Sequence, residues 1–178
     1  MKRADLEHLI RAAGSIANAR ELIIIGSQAI LGSFPNPPRE LTVSMEADMY
    51  PLDAPDKADL IDGTIGENSP FHSAFGYYAH GVAPETATLP ANWKTRLVSL
   101  RNENTNEITG LCLSPVDLVI SKLAAGREKD LDFVRAIFRH ALLKLAEAET
   151  VLVELDETTA QLVRPRLERC VIDPTKGD

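Results

Sequence analysis

The chain has 178 residues, 44% of them apolar and 25% charged, with 19 Lys and Arg against 26 Asp and Glu for a formal net charge of −7. That size and apolar content suffice for one domain, or one small domain with a helical extension, without disulfide or metal staples, while the acidic balance opposes extended nucleic-acid binding, which relies on clustered Lys and Arg. Cys112 and Cys170 lack CxxC or Cys/His spacing, which argues for free thiols in a reducing cytoplasm. The first twenty residues mix charge through their apolar positions, unlike a signal peptide, and no apolar run approaches the roughly 20 residues that span a bilayer.

Leu6, Leu9, Ile10 and Ala13 recur at three- and four-residue intervals between Arg3 and Ala19, the pattern of an amphipathic helix ending near Asn18. A short buried strand, Glu21 to Ile25, follows, and Ser27 to Gly32 reads as a helical turn or short helix. Phe34-Pro35-Asn36-Pro37-Pro38 forces an extended loop, because proline cannot continue a helix and turns its predecessor away from the α region. Leu41 to Met49 alternates as a second strand. Ala54 to Ile65 predicts a helix capped by Asp53 or a neighbour, and Ser69-Pro70-Phe71 starts another. Tyr77 to Val82 is a further strand, and Thr95 to Leu100 with Ile108 to Leu113 flank a polar turn and predict a hairpin. Ser114-Pro115-Val116-Asp117 supplies a serine cap, a proline at the first helical position and a first-turn acid. Helices are expected from there on: one carrying Leu118 to Leu123, then Leu131 to His140, Ala141 to Leu155 and Thr158 to Cys170, with a disordered tail after Asp173. The expected organisation is an α/β core over 1–113 and a helical subdomain over 114–172, an α+β chain.

Gly26-Ser27, directly after the apolar run Leu22 to Ile25, has the form of a phosphate turn. A residue without Cβ lets backbone N–H groups approach an anion, and the helical N-terminus that follows adds positive potential. Its bland counterpart is an ordinary strand-to-helix turn. Glu46 and Asp48 occupy positions i and i+2 of a strand and face one side, where both carboxylates can hold one hard divalent cation that bridges to nucleotide phosphates. A solvated strand face is the alternative, although like charges so placed repel each other. If the two strands lie side by side, turn and acids meet at one ligand. Lys122 sits among Leu118, Val119, Leu123 and Ala124, so its ammonium must snorkel or meet an anion. Arg127, Lys129, Arg135, Arg139 and Lys144 share one stretch, but interspersed acids give it the character of a solvated helix face. His72 and His80 lack ligand spacing and read as structural; Trp93 reads as a surface plug of the core, with base stacking the alternative.

Gly26-Ser27, Ser44-x-Glu46-x-Asp48, Leu113-Ser-Pro-x-Asp-Leu-x-x-Ser-Lys122-Leu-x-Ala and Arg127-Glu128-Lys129-Asp130 together resemble the AbiEii-like group of polymerase-β-type nucleotidyltransferases, over residues 20–140. The resemblance implies a nucleotidyltransferase-like mixed β-sheet with flanking helices, followed by a helical C-terminal half. It implies a triphosphate held at Gly26 and Ser27, Mg²⁺ on Glu46 and Asp48, a phosphate-contacting Lys122 and a supporting acid at Asp130. Two departures stand out. Glu46 occupies a position where aspartate is usual, and the third carboxylate, the base that deprotonates the acceptor, can be assigned only to Glu85. The implied activity is transfer of a nucleotide from an NTP to a hydroxyl of RNA, protein or a small molecule, in a toxin–antitoxin or phage-defence setting with a cognate antitoxin or toxin. The alternatives are a catalytically inactive binding module of the same fold, acting as antitoxin or regulator, and a structural domain that forms a homodimer through Ala141 to Leu155.

Overall fold

A computed structural model describes residues 1–172, so the tail expected to be disordered lies outside the described residues. Five strands, β1 (Glu21–Ile25), β2 (Glu46–Pro51), β3 (Tyr78–Gly81), β4 (Val98–Leu100) and β5 (Thr109–Cys112), form one mixed sheet in the order β3-β2-β1-β5-β4. β1 takes the centre because Leu22 to Ile25 are all buried and need cover on both faces. It runs antiparallel to β2 and parallel to β5; β2 and β3 are parallel, and β4 and β5 are antiparallel.

Among the described residues eight α-helices accompany the sheet: α1 (Arg3–Ala17), α2 (Ile30–Ser33), α3 (Ala58–Ile65), α4 (Pro70–Phe75), α5 (Pro115–Ala125), α6 (Glu128–Arg139), α7 (Leu145–Val151) and α8 (Glu157–Ile172). α1 inserts Leu6, Leu9 and Ile10 with no exposed surface, each side chain worth about 1.5–3 kcal/mol in burial. It stops at Asn18 in the left-handed conformation. Ser69 and Ser114 cap α4 and α5 as expected, accepting from the backbone N–H groups of His72 and Asp117. α5, α6 and α8 pack on one another, and one apolar core runs through sheet and helices, from Ile24 to Leu118, Val134 and Leu167. The fold is α+β, a mixed sheet with flanking helices followed by a helical C-terminal stretch.

Four boundaries differ from the sequence reading, the first being the strand expected from Thr95, which begins at Val98 because Trp93–Arg96 forms a 3₁₀ turn. β2 begins at Glu46 rather than Leu41: Arg39–Leu41 forms a 3₁₀ turn with Leu41 buried, and the carbonyls of Thr42 and Ser44 accept from the Met1 amine instead of a neighbouring strand. The helix over 54–65 begins at Ala58, after a 3₁₀ turn at Pro55–Lys57, and has no side-chain cap, so Asp53 plays no such part. The stretch from Ala141 to Leu155 is broken: Ala141 has φ 52°, ending α6, and α7 starts only at Leu145.

Arg96 ties the segment between β3 and β4 to the helical layer. Its guanidinium grips fully buried Asp117 at 2.7–3.2 Å and Glu154 at 2.9 and 3.0 Å. Both cysteines are buried free thiols; burial pushes Cys112 up to about 12 and also raises Cys170.

Candidate active site

The register of the central strands assembles one wall of a cleft. Asp48 lies opposite Ile25, the last residue of β1, so its side chain meets the turn that follows. Gly26 there has φ 70°, and a Cβ at this position would fall 2.1 Å from Asp48 Oδ2. Only glycine meets both demands, a left-handed backbone and a carboxylate where a side chain would begin. Ser27 opens the 3₁₀ turn that continues from it.

β3 supplies the partners of the two acids. Tyr78 pairs with Glu46 and His80 with Asp48 in the parallel register, and each side chain reaches its acid: Tyr78 Oη donates to Glu46 Oε2 at 3.0 Å, and His80 Nδ1 lies 3.0 Å from Asp48 Oδ1. Burial, and after it the charge of Glu46, raises the Asp48 carboxyl above its ordinary value, while His80 and Lys122 pull it back only in part. Burial and the bond to Glu46 push the Tyr78 hydroxyl up to about 12.

The facing wall comes from α5 and α6. Asp130 is 1% exposed and accepts from Lys122 Nζ at 3.0 Å and from Arg127 Nε at 2.6 Å. Burial alone would raise its carboxyl; the bonds from Arg127 and Lys122 outweigh that and hold it below the ordinary range. The Lys122 ammonium also lies 5.6 Å from the centre of the Phe133 ring. A cleft of about 800 Å³ separates the walls, lined by Ser27, Glu46, Asp48, His80, Lys122, Arg127 and Asp130 among others. A smaller pocket of about 170 Å³ is lined by Gly26, Thr86, Thr88 and Ser121 and shares Lys122 with the cleft.

A glycine turn against one acid, a second acid two residues away and a lysine lining the same cleft are thereby brought together. A family model described as a nucleotidyltransferase of unknown function (DUF6036) matches residues 4–166. The chain belongs to this nucleotidyltransferase family. No curated protein and no solved structure matches it.

Of the residues expected in the nucleotidyltransferase site, Ser27, Glu46, Asp48, Lys122 and Asp130 line the main cleft, and Gly26 lines the smaller pocket. Glu85 is not brought in: it sits exposed in the turn Pro84–Thr86, and only its neighbour Thr86 reaches the cleft. The basic stretch is more than a solvated face, since Arg127, Lys129, Arg135 and Arg139 line the cleft, although Arg135 is bonded to Glu128 and Asp132 and Arg139 to Glu40. His80 is a cleft residue, whereas His72 stacks on Tyr78 and accepts from the Asn68 N–H. Trp93 packs against the core and lines neither pocket. Tyr78 is the neighbour of the strand acids that sequence reasoning missed, and His80, read there as structural, is the other; their one joint signal was a period-two repeat, 32 residues after the same repeat in Glu46 and Asp48.

Among the described residues no three or more His, Cys, Asp or Glu side chains are grouped to hold a metal ion. The donor set is two carboxylates, the number Mg²⁺ commonly takes from a protein when substrate phosphates and water complete its shell. Asp48, its carboxyl raised by burial and a like charge, is an acid that a cation would relieve.

Proposed function

We propose that this family member is a Mg²⁺-dependent nucleotidyltransferase that transfers a nucleotide from an NTP to a hydroxyl acceptor. The observation that carries this reading is the close approach of Gly26 to Asp48, because the turn that would take the phosphates and the acid that would take the cation then lie at one point. In the reaction the acceptor hydroxyl gives up its proton to solvent as its oxygen bonds to the α-phosphorus, the bond to the bridging oxygen breaks, and pyrophosphate leaves with the electron pair. Glu46 and Asp48 would hold Mg²⁺, which stabilises charge on attacking and leaving oxygens. The Gly26-Ser27 turn offers backbone N–H groups and a hydroxyl to the phosphates. Lys122 is aimed by Asp130 and steadied by Phe133, and it neutralises charge as pyrophosphate departs.

The finer parts of the proposal rest on the motif resemblance: an AbiEii-like protein, an acceptor on RNA, protein or a small molecule, and a toxin–antitoxin or phage-defence setting in the cytoplasm with a cognate protein partner. No helix among the described residues is long and apolar enough to cross a membrane. A second reading, an inactive binding module of the same fold, is favoured by the exposed position of Glu85 and by His80 standing beside Asp48 with no third carboxylate in the group.

A thermal-shift titration with each NTP, with and without Mg²⁺, tests the site, because a ligand that binds only the native state raises the melting temperature. The expected result is a Mg²⁺-dependent shift that disappears in Asp48→Ala while the unliganded melt stays cooperative. No shift with any NTP overturns the reading. Pyrophosphate release separates enzyme from binding module: binding without release would establish the latter.

A further inference from the structure

Glu46 is the residue by which this chain departs most plainly from the pattern it resembles, and the structure shows what the longer side chain meets. An extra methylene adds a rotatable bond, so a glutamate reaching into a cleft samples more positions than an aspartate and holds a cation less well unless something fixes it. Here Oε2 accepts from Tyr78 Oη at 3.0 Å. Tyr78 is itself held at three places. Its ring is nearly buried at 9% exposure, it packs 4.6 Å from the ring of His72, and its backbone N–H bonds to Met45 O at 3.0 Å. The hydroxyl is therefore a fixed donor aimed at one oxygen of Glu46. Among the described residues it is the one hydrogen-bond partner of the Glu46 carboxylate, while Ser44 Oγ bonds only to the Glu46 backbone, and this leaves Oε1 for a cation.

We propose that Tyr78 is a positioning residue for the metal site, its hydroxyl holding the Glu46 carboxylate in the place a shorter aspartate would occupy unaided. Glutamate on β2 and tyrosine opposite it on β3 form one unit, created by the parallel register that pairs Glu46 with Tyr78. The inference rests on the metal–nucleotide reading above. Partners that orient a metal-binding side chain typically change metal affinity by about 10–100-fold when removed, which sets the size of the expected effect.

The test is a double-mutant cycle read by calorimetry, with a preformed Mn²⁺–tripolyphosphate complex titrated into wild type, Tyr78→Phe, Glu46→Asp and the double variant. Phenylalanine keeps the ring against His72, and circular dichroism checks each fold. Tyr78→Phe is expected to weaken binding about 10-fold. Glu46→Asp should bind more tightly than Tyr78→Phe, and adding Tyr78→Phe to Glu46→Asp should cost nothing further, because the shorter carboxylate no longer reaches the hydroxyl. Wild-type affinity in Tyr78→Phe, an equal loss in both backgrounds, or Glu46→Asp weaker than Tyr78→Phe overturns the proposal. Asp48→Ala is the control that separates the two claims. If it binds like wild type, or wild type does not bind, the metal–phosphate reading falls and this inference with it; if it abolishes binding while Tyr78→Phe has no effect, only the inference falls.

Discussion

Two aspartates line the cleft in opposite electrostatic conditions. Asp130 on α6 is nearly inaccessible yet its carboxyl lies below the ordinary range, because Lys122 and Arg127 both bond to it. Asp48 on β2 has 24% of its side chain exposed, but its carboxyl is raised by burial and by Glu46. Depth in the protein does not decide which acid is comfortable; the supply of cationic partners does. The helical wall pairs its acid within the protein, whereas the strand wall sets Asp48 beside a second acid, and under the proposed function its cation would come from outside.

The largest test of that contrast removes the completed side. Asp130→Ala leaves a nearly buried lysine without its anion and should cost about 3–5 kcal/mol in urea unfolding; a loss under about 1 kcal/mol would show that solvent already screens the pair. Gly26→Ala strikes the strand wall, adding a methyl where Asp48 Oδ2 now lies and straining a backbone at φ 70°. It should cost about 1–3 kcal/mol and remove the Mg²⁺–NTP thermal shift; an alanine variant that keeps the shift would refute the role given to that turn. Gln28 extends the contrast, since it is 1% exposed and neither polar atom of its side chain has a hydrogen-bond partner. Gln28→Met should stabilise the free protein by about 1 kcal/mol, the lower range for an unsatisfied buried group; destabilisation would mean that a partner completes the amide in solution.

The smallest effect lies in the pH dependence of stability, where the two acids differ in sign. The native pKa of Asp48 lies above its usual 3.8, so the native state holds the proton more tightly than the unfolded chain. Its contribution to stability therefore falls as pH rises from 3.8 through the raised pKa. Asp130 has the reverse order: its contribution is present above 3.8 and is lost as pH falls through its depressed pKa. Urea midpoints measured from acid to neutral pH should show Asp48→Asn gaining on wild type toward neutral pH and Asp130→Asn losing on it there. The same sign for both variants would break the comparison.

Much of this was legible in the sequence where the signal is local. The apolar run before Gly26, the serine caps at Ser69 and Ser114 and the alternation of Glu46 and Asp48 each depend on a few neighbouring residues, and the structure follows them. What was hidden depends on register between distant strands. Nothing near Tyr78 or His80 in the chain says that they stand opposite Glu46 and Asp48, because that follows from the parallel pairing of β2 and β3. Lys122 posed a choice between solvent and an anion, and the anion proved to be Asp130, eight residues on, across the junction of α5 and α6. The early start assigned to β2 failed for a similar reason: its first residues alternate like a strand, but Leu41 turns into the core and no strand neighbour is there to pair.

The two buried thiols give the molecule its own opening gauge. Cys112 lies on β5 beside the central strand and Cys170 on α8 in the helical layer, its sulfur 3.8 Å from the Leu131 carbonyl. Alkylating reagents attack thiolates, which burial suppresses at both positions. Labelling therefore clocks the opening of the layer around each sulfur, and comparing the two rates reports whether helices and sheet come apart together or in sequence.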